Sequence, residues 1–163
     1  MNEIKNRLQV SISKQTLTFY KNEKEIKQYS ISTAKNGVGE LIDSGCTPRG
    51  EHVIAEKIGD GEKLNTVFVG RLPTGEIFEP ALRELHSERD WILTRILWLS
   101  GLEEGRNKGG NLDTYQRYIY IHGSPDDVDM GKPGSHGCIR MRNDDVVELF
   151  DMVNVGDHVL INE

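Results

Sequence analysis

Along much of this chain apolar and polar positions alternate with a period of two, the mark of half-buried strands. Leu8-Gln9-Val10-Ser11-Ile12-Ser13 alternates strictly, and Leu17-Thr18-Phe19-Tyr20 does so in part. Asn22-Glu23-Lys24-Glu25 supplies a turn before residues 26–32, so the segment predicts an antiparallel meander. Asn36-Gly37-Val38-Gly39 and Asp43-Ser44-Gly45 punctuate a loop. Residues 52–58 and 65–72 give two further strands, and Pro80 opens a short helical turn over residues 81–85. Residues 91–99 are rich in branched and aromatic side chains and fit a buried strand or a buried helix equally by periodicity.

Toward the C-terminus the pattern sharpens. Arg117-Tyr118-Ile119-Tyr120-Ile121-His122 predicts a strand with Tyr118, Tyr120 and His122 on one face and Ile119 and Ile121 on the other. Its last residue, beside Gly123, is placed to project into a cleft. Residues 144–153 read as the clearest helix: Asn143 as N-cap, Asp144 and Asp145 in the first turn, and an apolar stripe of Val146, Leu149, Phe150 and Val153. A turn at residues 155–157 leads to a closing strand over 158–161. Many strands and one good helix predict a mainly β domain spanning residues 1–163.

Composition narrows the function classes. A net charge of −6 with scattered lysines and arginines gives no basic stripe, and nucleic acid is not an expected partner. No stretch has the roughly 18 apolar residues of a membrane span; the most apolar run, 91–102, is broken by Thr94, Arg95 and Ser100. Residues 1–7 hold no apolar signal region and no small-residue cleavage site, which gives the expectation of a cytoplasmic protein if Met1 is the natural start. The two cysteines, Cys46 and Cys138, read as free thiols rather than a disulfide.

Candidate chemistry sits in Ser135-His136-Gly137-Cys138, with His122-Gly123 upstream. A cysteine attacks as its thiolate, and an unperturbed thiol with a pKa of about 8.5 is mostly protonated at neutral pH. A histidine within reach can take that proton and hand it to a leaving amine. Cys138 is therefore the candidate nucleophile, with His122 and His136 as candidate bases. Gly137 leaves the backbone open beside the sulfur, so the N–H groups of Gly137 and Cys138 are candidate oxyanion donors. Two histidines and a cysteine could also ligate zinc, but no Cys-x-x-Cys or His-Glu-x-x-His spacing accompanies them, and no metal or other cofactor is expected.

These residues carry a family resemblance. His122-Gly123, then Ser135-His136-Gly137-Cys138-Ile139-Arg140-Met141, resembles the signature of the L,D-transpeptidase (YkuD-like) catalytic domain. Thr47-Pro48-Arg49-Gly50-Glu51-His52-Val53-Ile54 resembles that family's Thr-Pro-x-Gly-x-Phe-x-Ile element, with His52 where an aromatic is common. Two departures stand out: Arg140 replaces an asparagine found in several members, and the loop before Ser135 is short. The resemblance implies a curled β-sandwich and a strand over residues 91–99. It also implies that His122 deprotonates Cys138, with His136 nearby to orient substrate or line the oxyanion hole. Ser135, Arg140 and Gly123 are then expected on the substrate side, Ser135 as a hydrogen-bonding scaffold and Arg140 as a partner for a substrate carboxylate or a structural ion pair. The implied substrates are peptidoglycan stem peptides or muropeptides, and carbapenem-type β-lactams are implied inhibitors. With no export segment recognised, the expectation is an L,D-carboxypeptidase that removes terminal D-alanine in murein recycling. The alternatives are a 3→3 crosslinking transpeptidase and, in another class, a non-catalytic peptidoglycan-binding module.

Overall fold

The structure is a computed structural model and describes residues 5–163; Met1 to Ile4, part of the stretch read above for an export signal, lie outside the described residues. The opening meander is β1 (Asn6–Ser11), β2 (Thr16–Lys21) and β3 (Lys24–Ser30), paired antiparallel in sequence. Its partner is the last strand of the chain, β10 (His158–Asn162), which runs parallel to β1 and antiparallel to β4 (Gly50–Ile58). Next comes β7 (Ile92–Gly101), the hub of the sheet. On one edge β7 holds β4 and then the short β5 (Thr66–Val69), which pairs with β6 (Leu72–Ile77). On its other edge it holds β8 (Tyr120–Ser124), and β9 (Ile139–Arg142) runs parallel to β8. The mainly β curled sheet expected from the sequence is the fold.

Alternation explains where the core lies. Leu8, Val10, Leu17, Phe19, Ile54, Leu97, Leu99, Ile121, Ile139, Met141, Val159 and Ile161 turn to one side of the curled sheet and are buried. There they meet Val146, Leu149 and Phe150 of the helix α2 (Asn143–Met152). The shorter α1 (Pro80–Leu85) has proline in its first turn and buries no residue. A second cluster of Phe68, Ile96, Trp98 and Tyr120 packs on the opposite side, with Cys138 at its margin.

Three local readings change, and the strand that the resemblance implied over residues 91–99 is present. Residues 65–72 are not one strand: Gly70 (φ +58°) and Arg71 (φ +67°) form a two-residue hairpin turn between β5 and β6. The strand read over residues 117–122 begins only at Tyr120, because Tyr118 takes φ +58° and breaks the extended run. Asn143 is not the N-cap of α2; Arg142 occupies that position without a side-chain cap, and Asn143 is buried within the first turn. Residues 91–99, ambiguous by period, lie almost wholly in β7, bent at a bulge where Thr94 takes φ +74°.

Candidate active site

β8 and β9 run side by side with Ile121 opposite Ile139 and His122 opposite Arg140. Since Ile121 and Ile139 both face the main core, the residues before and after them face the other way. Cys138, Arg140, Tyr120 and His122 therefore share one face, and the sulfur sits one residue ahead of β9.

The turn that delivers Cys138 is fixed from several sides. Ser135 Oγ donates to Cys138 O at 2.5 Å and accepts from Gly137 N at 3.2 Å. Thr47 Oγ1 donates to Gly137 O at 2.9 Å and accepts from Ala34 N at 3.0 Å. Gly137 takes φ +136°, and a Cβ there would lie 3.3 Å from both Cys46 O and Ile119 Cδ1. Thr47 thus explains the Thr-Pro element, which the sequence offered without a role.

At rest the sulfur is a thiol. Tyr120 N donates to Sγ at 3.3 Å, and Sγ–H donates to Tyr118 O at 3.3 Å. Burial, only partly offset by the Tyr120 N–H, pushes the thiol pKa up to about 12. His122 is fully buried, and its Nδ1 donates to Gly123 O at 2.6 Å, which fixes the proton on Nδ1. Nε2 is left as a bare lone pair with no hydrogen-bond partner. Burial lowers the His122 pKa, so the ring is neutral at pH 7, while the Asp90 carboxylate pulls the other way. A buried polar atom without a partner is costly, and an unpaired, unprotonated imidazole nitrogen of this kind has the chemistry of a proton acceptor.

Asp90 is the residue the sequence reading missed. It lies just before β7, far along the chain from the motif, and no local pattern singles it out. In space its carboxylate takes a hydrogen bond from Arg140 Nη2 at 3.2 Å and stands 3.7 Å from His136 Nδ1. Burial alone would raise the Asp90 pKa, but the imidazole of His122 and the guanidinium of Arg140 beside it hold it below the usual range. Arg140 also donates to Gly134 O at 3.0 Å, so its guanidinium is committed to an internal ion pair.

The other candidates separate by position. His136 projects to solvent, 77 % exposed, where three clefts meet. One, of about 270 Å³, has Cys138, Tyr118, Tyr120, Arg71 and Arg117 on its walls; another, of about 230 Å³ on the far side, is lined by Asp90, Arg83, Pro125 and Arg140. Gly137 N–H is engaged by Ser135, so that donor is not free for an oxyanion in this conformation. Gly123 lies beneath the site rather than on a cleft wall: a Cβ there would fall 2.4 Å from Asn143 Oδ1 and 2.6 Å from Leu93 O. Its part is to let β8 approach β7 and α2 closely, not to face substrate.

Comparison with known proteins finds relatives of this chain and of its fold. A putative L,D-transpeptidase of Bacillus licheniformis is 28% identical over 160 residues, covering 95% of this chain and 64% of that protein. A Bacillus subtilis putative L,D-transpeptidase is 42% identical over 62 residues, 35% of this chain and 38% of its own. An L,D-transpeptidase from Mycobacterium smegmatis superposes with a TM-score of 0.59 at 20% identity, over 98% of this chain and 59% of that one. L,D-transpeptidase 3 from Mycobacterium tuberculosis, solved with a faropenem-derived adduct, gives 0.61 at 16%, over 98% and 61%. This chain spans less than two thirds of the length of each of these relatives. Residues 5–161 match the family model described as YkuD, the L,D-transpeptidase catalytic domain, and the chain belongs to that family.

Proposed function

We propose that this chain is a cysteine acyltransferase acting on peptidoglycan stem peptides. The observation that carries the reading is the bare, buried Nε2 of His122 on the sheet face that Cys138 shares. With a peptide carbonyl against the sulfur, the S–H proton moves from its contact with Tyr118 O to His122 Nε2 as sulfur attacks the carbonyl carbon. The C–N bond then breaks, the imidazolium returns the proton to the departing amine of a terminal D-amino acid, and a thioester on Cys138 remains. Asp90 supports the transient imidazolium electrostatically, as its influence on His122 implies. The Gly137 and Cys138 amides border the oxyanion, and recruiting Gly137 requires its bond to Ser135 to open.

The thioester is resolved by an incoming amine, giving a crosslink. Support comes from the two clefts that share Asp90 and His136: one holds Cys138 and suits the acyl donor, and the other approaches from the α1 side and suits an acceptor. The deciding experiment incubates the purified chain with a tetrapeptide muropeptide, with and without an acceptor amine, and identifies products by mass. Crosslinked dimer at modest acceptor concentration is the expected outcome. Tripeptide as the main product at saturating acceptor would make the chain an L,D-carboxypeptidase instead, and no D-alanine release in either arm would overturn acyl transfer.

Two of the solved neighbours carry β-lactam-type ligands, imipenem and a faropenem-derived adduct. The same chemistry extends to this chain: a carbapenem should add its intact mass to Cys138, and the adduct should vanish in Cys138→Ala. Labelling of Cys46 in place of Cys138 would show that exposure rather than the site controls reactivity.

A further inference from the structure

A chain of net charge −6 places two guanidinium groups, Arg71 and Arg117, on the wall of the cleft that holds Cys138. Among the described residues neither has a carboxylate partner within salt-bridge distance, whereas Arg49, Arg83, Arg89 and Arg140 each do. The two are not equivalent. Arg117 spends its donors on the neighbouring loop: Nη1 on Gly39 O and Glu40 O, Nη2 on Ser44 Oγ and Cys46 O, at 2.7 to 3.3 Å. It pins the loop that carries Cys46 and Thr47, and both of its terminal nitrogens are engaged.

Arg71 is built differently. It stands in the Gly70-Arg71 turn of the β5–β6 hairpin and reaches into the cleft. Its guanidinium carbon lies 4.8 Å from the centroid of Trp98 and 4.9 Å from that of Tyr118, against aromatic faces that hold a cation without consuming its N–H groups. One bond, Nη1 to Tyr120 Oη at 3.1 Å, orients it. Nη2 and Nε have no protein acceptor among the described residues and form an oriented donor edge. The carboxylate on that cleft, Asp90, is already paired with Arg140.

We infer that Arg71 is the specificity-determining residue for the acyl donor, its guanidinium binding the free α-carboxylate of the terminal residue that departs. This rests on the acyl-transfer reading. The carboxylate is one residue beyond the scissile carbonyl, and consecutive Cα atoms are about 3.8 Å apart; a cleft lined by both Cys138 and Arg71 can hold both groups at once. Arg71 thereby admits chain ends and rejects capped or internal peptide bonds, and Arg117 adds charge without reading the ligand.

Binding to the Cys138→Ala protein separates this assignment from the chemistry. Calorimetry would compare a stem tetrapeptide ending in D-alanine with the same peptide as its C-terminal amide. The free acid should bind about ten- to a hundredfold more tightly, the worth of a charge-assisted pair. Adding Arg71→Gln should weaken the acid alone and bring the ratio near one, and Arg71→Lys should restore part of it; unfolding midpoints of all variants check the fold. Equal affinity for acid and amide in the parent, equal weakening of both in Arg71→Gln, or no binding of either would overturn the inference. Preserved discrimination in a chain that releases no D-alanine with Cys138 intact would instead count against acyl transfer and leave the carboxylate anchor standing.

Discussion

A thiol held at a pKa of about 12 beside an imidazole held below its ordinary value is a resting pair with no charge on either member. Proton transfer then belongs to the attack itself rather than preceding it. Iodoacetamide should accordingly modify Cys138 slowly at pH 7, with a rate that climbs through pH 10 without a plateau; a plateau below pH 8 would reveal a stable thiolate. His122→Ala should lower D-alanine release by on the order of 10²–10⁴, and Cys46→Ala should leave it unchanged. Asp90→Asn makes a different signature. Removing the carboxylate takes away the one charge that favours imidazolium, so the acid limb of the rate profile should move to lower pH while the rate falls roughly tenfold; an unmoved acid limb would confine Asp90 to holding Arg140. Cys138 and His122 stand out in the sequence as candidates because the signature residues beside them are contiguous in the chain. Asp90 does not, since only the sheet brings it to the motif.

At the scale of elements, the seam between β7, β8 and α2 holds the back of the site. Thr94 sits at φ +74°, an uncommon and strained conformation for a β-branched residue, in the bulge of β7. Its Oγ1 donates to Asn143 Oδ1 at 2.6 Å and accepts from Asn65 N at 3.0 Å. Asn143 Nδ2 in turn donates to Asn65 Oδ1 at 2.9 Å and to Asp126 Oδ1 at 3.3 Å. One buried amide therefore joins the bulge, the helix start and two loops directly behind Gly123, whose carbonyl fixes the His122 tautomer. Asn143→Ala should cost about 1–3 kcal/mol of stability, the range for stranding buried polar partners, as a shift in denaturant midpoint. It should also loosen His122 and lower turnover in the surviving folded fraction. The sequence reading gave Asn143 a capping role because Asn-Asp-Asp before an apolar stripe has that form. Its use as a tertiary tie depends on a bulge and a positive φ that periodicity does not encode. Alternation likewise showed most strands, yet it ran β5 into β6, since Gly-Arg is not a common pair for a left-handed two-residue turn.

For the molecule as a whole, two buried histidines set the acid side of stability. His52, fully buried, has Nδ1 3.0 Å from Gly50 O and Nε2 3.0 Å from Thr114 Oγ1, and desolvation lowers its pKa to about 4. His122 shifts the same way for the same reason. Both pKa values are lower folded than unfolded, so below about pH 6.5 the unfolded chain binds more protons and stability falls with pH. His52 alone should contribute about 1.4 kcal/mol of loss per pH unit down to about pH 4. Melting temperatures should therefore drop between pH 7 and pH 5, and His52→Phe should flatten the slope; an unchanged slope would move the effect to other groups. On the alkaline side the sign reverses for Cys138, whose desolvated thiol stays protonated while the unfolded one ionises, so stability should also fall above about pH 9.

The pairing of β1 with β10 fixes an order of events during synthesis. β10 is the strand through which the opening meander joins β4 and the rest of the sheet, and of the sheet's strands it is made after all the others. Every residue named in the chemistry leaves the ribosome before the sheet that orients it can be completed. A nascent chain halted before His158 would carry Cys138 and His122 with the facing edges of β1 and β4 unpaired, open to pairing with another chain. Such a chain should be protease-sensitive and unable to take a carbapenem onto Cys138, although its signature motif is intact. Assembly of so non-local a sheet is a slow step, on the millisecond-to-second scale, and reactivity of the sulfur should appear only at its end.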